Sequence, residues 1–280
     1  MKVYQQHISY RPGDVFRIWG IGDVHLGGAQ FARKELLKTI EKIQQGENDY
    51  WVGLGDLGDY VNWQDTKRFE PSGFEKNRKV RDLGNLHEIY VKELAEVFGP
   101  IKGKCLGLVD GNHEFEYARR HSVVITTLLA SKLGTRVLDY SCAFRLIFSR
   151  DKDMKHHSSS LRFYLFHGSG GGAMKGGKAL RLSRYFLSYP WADVVFSAHQ
   201  HDRVAITEDY ADVTWPIDDS RSGSFTEKRR IAMMVGSFRH TISAPGDSAN
   251  YAERKGHSIV APGAVWVTYD PQEQELHGVI

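Results

Sequence analysis

"DVVFSAHQH", residues 193–201, joins an apolar run to two histidines one residue apart. Alternation along a strand points His199 and His201 to the same face. The segment therefore reads either as a half-buried strand with a wet side or as a strand that aims two ligands at one spot. The residues at the ends of the other apolar runs decide between the two. "FRIWGI" (16–21), "YWVGLG" (50–55), "CLGLV" (105–109) and "FYLF" (163–166) have the length and composition of buried strands. The first leads into "GDVH", with Asp23 and His25, and the second into "GDLGD", with Asp56 and Asp59. The third leads into "DGNHE", with Asn112, His113 and Glu114, and the fourth into "HG", with His167. Taken singly, each is an ordinary turn, cap or structural histidine. Five successive strand ends carrying Asp, Asn and His are not explained that way, and in open α/β sheets the functional crevice lies beyond the carboxyl ends of the strands.

Helical periodicity fills the intervals. Ala32, Leu36, Ile40 and Ile43 recur on one face of 31–45, and Val80, Leu83, Leu86, Ile89, Val91, Leu94 and Val97 mark 75–98. A third helix is expected over 122–134, closed by Gly134, and a fourth over 178–188. Strands alternating with helices indicate an α/β fold. The remainder, with "RIAMMVGSF" (230–238), "GAVWVTYD" (263–270) and "ELHGVI" (275–280), reads as β-rich. With no repeat and no long linker, residues 1–280 are expected to form one domain, the motifs lying in 16–205. The polar stretch 150–162, with His156 and His157, reads as a solvated connection, and the run Lys228–Arg229–Arg230 as solvated surface.

Composition sets outer limits. The chain is 41% hydrophobic and 25% charged, with a net charge of +3, too small by itself to argue for nucleic acid or acidic lipid. No apolar run approaches the roughly 18 residues of a membrane span. The first residues, "MKVYQQHISYRPGD", lack the apolar stretch of a secretory signal. Two cysteines, Cys105 and Cys142, make no disulfide framework, so a reducing, cytoplasmic setting is expected.

Asp, Asn and His without thiolate suit Mn, Fe, Zn, Co or Ni, and their number suits two ions sharing one carboxylate. In order, "DVH", "GDLGD", "GNHE", "FHG" and "AHQH" resemble the motif series of the calcineurin-like metallophosphoesterases over about residues 16–205, with Ala198 where that family usually has Gly. The resemblance implies a four-layer α-β-β-α sandwich of two mixed sheets flanked by helices, with 206–280 completing the second sheet. It implies two divalent metal ions, manganese first: one held by Asp23, His25 and His201, the other by Asn112, His167 and His199, and Asp56 bridging them. It implies a bridging hydroxide that attacks phosphorus in line. It gives His113 the task of stabilising charge or protonating the leaving oxygen, with Glu114 orienting His113. Asp59 reads as an orienting partner, a cap on the next helix, or a substrate contact.

The substrate is less defined. Protein phosphatases of the family carry arginines where this chain has Tyr60 and Asp110, which argues against a protein substrate. In "HGSGGGAMKGGKALRLSR" (167–184), Lys175, Lys178, Arg181 and Arg184 recur every third residue. They read either as a patch that tracks the phosphates of a nucleotide or nucleic acid, or as the solvated face of a helix. Tyr60, Trp63 and Phe69 are available for stacking on bases, and His240 and Tyr251, in the loop-like stretch 236–257, could approach the site. The resulting reading is a phosphodiesterase acting on DNA, RNA or nucleotides, with an exonuclease among its forms. The alternatives are a phosphomonoesterase or nucleotide pyrophosphatase, and a binding module that keeps the fold without catalysis.

Overall fold

The computed structural model describes residues 1–66, 69, 73–75, 79, 82, 84–150, 158–171, 174–215, 222–243, 245, 249–254, 256 and 258–280. His156 and His157 lie outside these residues, as do Val80 and Leu83. The strands are β1 (Lys2–Ser9), β2 (Phe16–Ile21), β3 (Asp49–Gly53), β4 (Cys105–Val109), β5 (Val137–Asp139), β6 (Ser141–Ser149), β7 (Ser159–Phe166), β8 (Val194–Ser197), β9 (Arg203–Thr214), β10 (Ser224–Val235), β11 (Val265–Asp270) and β12 (Glu275–Val279). The helices are α1 (Arg33–Gln45), α2 (Leu86–Phe98), α3 (Asn112–His121), α4 (Ile125–Leu133), α5 (Lys175–Ser188) and the single turn α6 (Tyr251–Arg254).

Among the described residues the strands form two six-stranded sheets, ordered β1-β6-β7-β8-β10-β9 and β12-β11-β2-β3-β4-β5. Both are mixed. In the first, β7, β8 and β10 run parallel, β9 opposes β10, and β6 opposes β7 while pairing parallel with β1. In the second, β2, β3, β4 and β5 run parallel and β11 and β12 reverse. The strands after residue 205 therefore divide between the sheets, β10 with most of β9 in one and β11 with β12 in the other, rather than completing a single sheet.

Alternation along the strands builds three apolar layers. In β2, Phe16 and Ile18 face the partner sheet, while Trp19 and Ile21 face the helices. In β8, Val194 and Phe196 face the partner sheet and Val195 faces α5. Burial on both faces is why these strands read as nearly continuous apolar runs. Helices α1, α2 and α4 cover one sheet and α5 the other, which gives the four-layer sandwich.

Helix α2 begins at Leu86, well after the expected start at 75. Gly84 and Asn85 precede it, a weak helix former and a start residue, and Asn85 donates to Glu88 at 2.6 Å. Gly134 closes α4 as expected, with φ 66°. Lys228, Arg229 and Arg230 are not merely solvated: each pairs across the β9–β10 ribbon, with Asp212, Asp209 and Glu208 respectively.

Candidate metal centre

Loops leaving β2, β3 and β4 in one sheet, and β7 and β8 in the other, bring their side chains together at one edge of the sandwich. The backbone turns sharply to aim them. Asp23, His25, Asp56, His199 and His201 have φ of 49°, 50°, 51°, 71° and 50°. Asp and His enter this left-handed region more readily than most residues, yet each instance costs on the order of 1 kcal/mol, and such strain concentrates at functional sites.

Three groups of donor atoms result, each with its atoms within 4.8 Å of one another: Asp23, His25 and His201; Asp56, His167 and His199; and His25, Asp59 and His113, which shares His25 with the first. In the first, His25 Nε2 lies 3.1 Å from His201 Nε2, and Asp23 Oδ1 lies 3.4 Å from the latter and 3.9 Å from the former. In the second, His167 Nε2 lies 3.4 Å from Asp56 Oδ2 and 3.0 Å from Asn112 Oδ1. The outer ring nitrogens fix the tautomers. His167 Nδ1 donates to the Leu54 carbonyl (2.6 Å) and His25 Nδ1 to Asp59 Oδ1 (3.2 Å), which leaves both Nε2 atoms facing inward. Asp59 is thus placed as an orienting partner. It does not cap the next helix, which starts at Leu86.

His113, a member of the third group, stands beside the first two. Its backbone N–H donates to Asp56 Oδ1 (2.8 Å), its Nδ1 donates to the Asp59 carbonyl, and its Nε2 lies 4.0 Å from Asp56 Oδ2. The position expected of Glu114 needs correcting. Its two carboxylate oxygens accept the backbone N–H groups of Asp56 and Leu57, each at 2.9 Å, so it seats the loop carrying Asp56. His113 is oriented by the Asp59 carbonyl instead. Gly111 makes this possible, because a Cβ there would stand 2.2 Å from Asp56 N and 2.6 Å from Glu114 Oε2. Ala198 is accommodated by Gly22, where an added Cβ would lie 2.9 Å from that of Ala198.

The charges are interdependent. Burial opposes ionisation of Asp56, but the surrounding His167 and His113 hold its carboxyl well below the usual range. Asp23 is likewise lowered against its burial, by His201 and His167. His167 is raised to about 10, the Asp56 and Asp23 carboxylates outweighing its burial. His25 is pushed down to about 3 by burial, with Arg239 adding to the effect, and so presents a neutral imidazole. Burial and then the Asp56 charge push Glu114 up to about 8.

This constellation fits divalent cations. Asp23 Oδ1 is buried without a hydrogen-bond donor, while two imidazole nitrogens face it. An orphaned carboxylate oxygen is costly unless a cation shares it. The donors are oxygen and imidazole, a borderline-to-hard set.

The cations expected to line the substrate path are differently employed. Lys178 is buried and bonded to Asp202 at 3.0 Å, and Arg181 donates to the carbonyls of Ser169 and Gly171. Both are engaged within the protein, whereas Lys175 is exposed at the start of α5. Tyr60 is buried against Tyr90 and Tyr117, with ring centroids 5.5 and 5.9 Å away, so it is not available for stacking. His240 lies exposed, 4.0 Å from Glu35. Arg239, beside it, has no mark in the sequence that would single it out. Its neighbour Phe238 donates from its backbone N–H to the Asp23 carbonyl (3.0 Å), and Arg239 itself is half-buried and bonded to Gln30 at 3.4 Å. A lone arginine in a loop-like segment carries no spacing signal, so only the fold reveals it. Asp202 also escapes the sequence reading, being adjacent to a motif but outside it.

Residues 16–203 match the model of the calcineurin-like phosphoesterase family. No curated protein matches the chain in sequence. Similar solved structures include a conserved predicted phosphoesterase of Streptococcus pneumoniae, 12% identical, covering 92% of this chain and 84% of that one with a TM-score of 0.34. A calcineurin-like phosphoesterase of Bacillus subtilis is 10% identical, covering 86% and 95%, with a TM-score of 0.37. The NAD nucleotidase of Haemophilus influenzae is 11% identical, covering 95% of this chain but 49% of its own, with a TM-score of 0.40. The family match, which spans every motif from "GDVH" to "HQH", is what assigns the chain. It belongs to the calcineurin-like phosphoesterases and is a metal-dependent phosphoester hydrolase.

Proposed function

We propose that the chain hydrolyses phosphodiesters of nucleotides or nucleic acid. The observation that carries this reading is the pairing of two donor groups with His113 beside both. Asp23, His25 and His201 would hold one divalent ion, Asn112, His167 and His199 a second, with Asp56 shared between them. Two such ions, manganese first, with iron, zinc, cobalt or nickel compatible with the donors, would polarise the phosphoryl oxygens and lower the pKa of a water towards neutrality. His113, its Nδ1 engaged by the Asp59 carbonyl, turns Nε2 to the centre and in its charged form donates to the leaving or a non-bridging oxygen. Glu114 holds the Asp56 loop, and Asp59 holds both His25 and His113.

The charge balance favours a diester. A dianionic monoester calls for paired guanidiniums, yet Tyr60 is buried and Lys178 and Arg181 are committed elsewhere. A singly charged diester needs less. With Lys178 and Arg181 of the basic row engaged within the protein, a nucleotide fits better than a long strand. Arg239 supports a second reading, a phosphomonoesterase or nucleotide pyrophosphatase, because its charge acts on both His25 and Asp59. Residues 1–280 would act as one domain, since the segment after 205 supplies strands to both sheets. Two free cysteines, both pushed up to about 12 by burial, suit a reducing compartment such as the cytoplasm. Among the described residues no helix is long and apolar enough to cross a membrane.

With manganese added, bis-p-nitrophenyl phosphate should turn over faster than p-nitrophenyl phosphate, and the reverse order would favour the second reading. Incubation with single- and double-stranded DNA separates the substrates. Cleavage extends the activity to nucleic acid, and intact DNA alongside diester turnover confines it to nucleotides.

A further inference from the structure

Helix α5 packs on the outer face of the sheet that carries β7 and β8, and its cations turn towards the loops those strands lead into. Lys178 and Arg181 are three residues apart and so lie on one side of the helix. Lys178, 6% exposed, donates from Nζ to Oδ2 of Asp202, 1% exposed, at 3.0 Å. Asp202 comes directly after His201. Its Oδ1 accepts the Arg203 backbone N–H (2.9 Å) and its carbonyl accepts that of Gly236 (3.0 Å). Arg181 donates to the carbonyls of Ser169 and Gly171, in the loop that leaves His167. The two loops are also joined to each other. Ala198 donates its N–H to the His167 carbonyl (2.8 Å), and Gln200 Nε2 approaches the carbonyls of Ser169 and Gly170 at 3.5 and 3.3 Å.

A buried ion pair is a weak source of stability, since desolvation offsets most of its Coulomb attraction. Its contribution here is geometric: it fixes where the loop after β8 sits. We propose that Lys178 and Arg181 are positioning residues of the metal centre, holding from one side of α5 the loops that carry His167, His199 and His201 at the separation the ions require. The proposal rests on the ligand assignment above, and it turns two cations that resemble a phosphate-binding row into a brace behind the ligands.

The test is calorimetric titration of manganese into metal-free protein, with the metal-free thermal midpoint recorded for each variant. Lys178→Met alone strands the Asp202 carboxylate, so the informative variant is Lys178→Met combined with Asp202→Asn, which leaves no buried charge unpaired. Its midpoint should stay near that of the wild type while manganese affinity falls about tenfold or more, the usual effect of removing a group that orients a ligand. Arg181→Gln, at a partly exposed position, should show the same pattern and carries the test if the double variant does not fold. Unchanged affinity in these variants overturns the proposal, provided His199→Ala lowers it. Affinity that drops only as far as the metal-free midpoint does would make the contacts purely structural, and overturns it as well. If His199→Ala binds manganese like the wild type, the ligand assignment itself fails.

Discussion

At the scale of single residues, the centre is built by side chains that accept a local cost for a shared arrangement. Five of the proposed ligands sit in left-handed backbone, and Asp23 keeps one oxygen buried without a donor. Such features persist where the surrounding fold over-determines them. His113 differs from the proposed ligands in the task proposed for it, its Nε2 facing the centre 4.0 Å from Asp56 Oδ2. His113→Ala should therefore lower kcat on bis-p-nitrophenyl phosphate by about 10²- to 10⁴-fold, as loss of a general acid does, with manganese stoichiometry unchanged. Kinetics paired with metal analysis would check this, and unaltered turnover would remove His113 from the reaction. Gly111→Ala acts elsewhere. Its added methyl would collide with the backbone and carboxylate of Asp56 and with Glu114. Manganese affinity should fall although no ligand has been replaced, and calorimetry would show it.

Single elements explain what can be read from the sequence. Strands β2 and β4 are legible at 16–21 and 105–109 because both faces are buried and the apolar run is interrupted only by Arg17. Strands β1 and β9 are not, because at sheet edges they alternate exposed polar residues with partly buried ones and look like loops. Helix α3 is hidden for a different reason. Only Glu114 and Tyr117 are buried along it, and its first turn is composed for the centre rather than for packing. The histidines are legible because each ends an apolar run. The target of Glu114 is not, because that carboxylate binds backbone N–H groups, which leave no mark in sequence. The same contrast governs stability. Phe196 on β8 is fully buried between the sheets, so Phe196→Ala should destabilise by about 3–5 kcal/mol in denaturant titration. Arg229 pairs with Asp209 on the exposed β9–β10 ribbon, and Arg229→Ala should leave the thermal midpoint almost unchanged.

On the scale of the whole molecule, the centre exists only because two sheets are packed with their functional loops at the same edge. One sheet delivers Asp23, His25, Asp56 and Asn112, and the other delivers His167, His199 and His201. Neither could assemble the donors alone. The three apolar clusters contain none of these side chains, so the fold does not depend on metal for its core. Chelated protein should keep its secondary structure by circular dichroism, and added manganese should raise its midpoint, because an ion that binds only the native state stabilises it by mass action. The central claim is that these loops form a two-ion centre. The manganese content of loaded, gel-filtered protein tests it most directly. Two ions per chain are expected in the wild type and at most one in His25→Ala or in His167→Ala; a wild type that retains none, or variants that retain both, would contradict it.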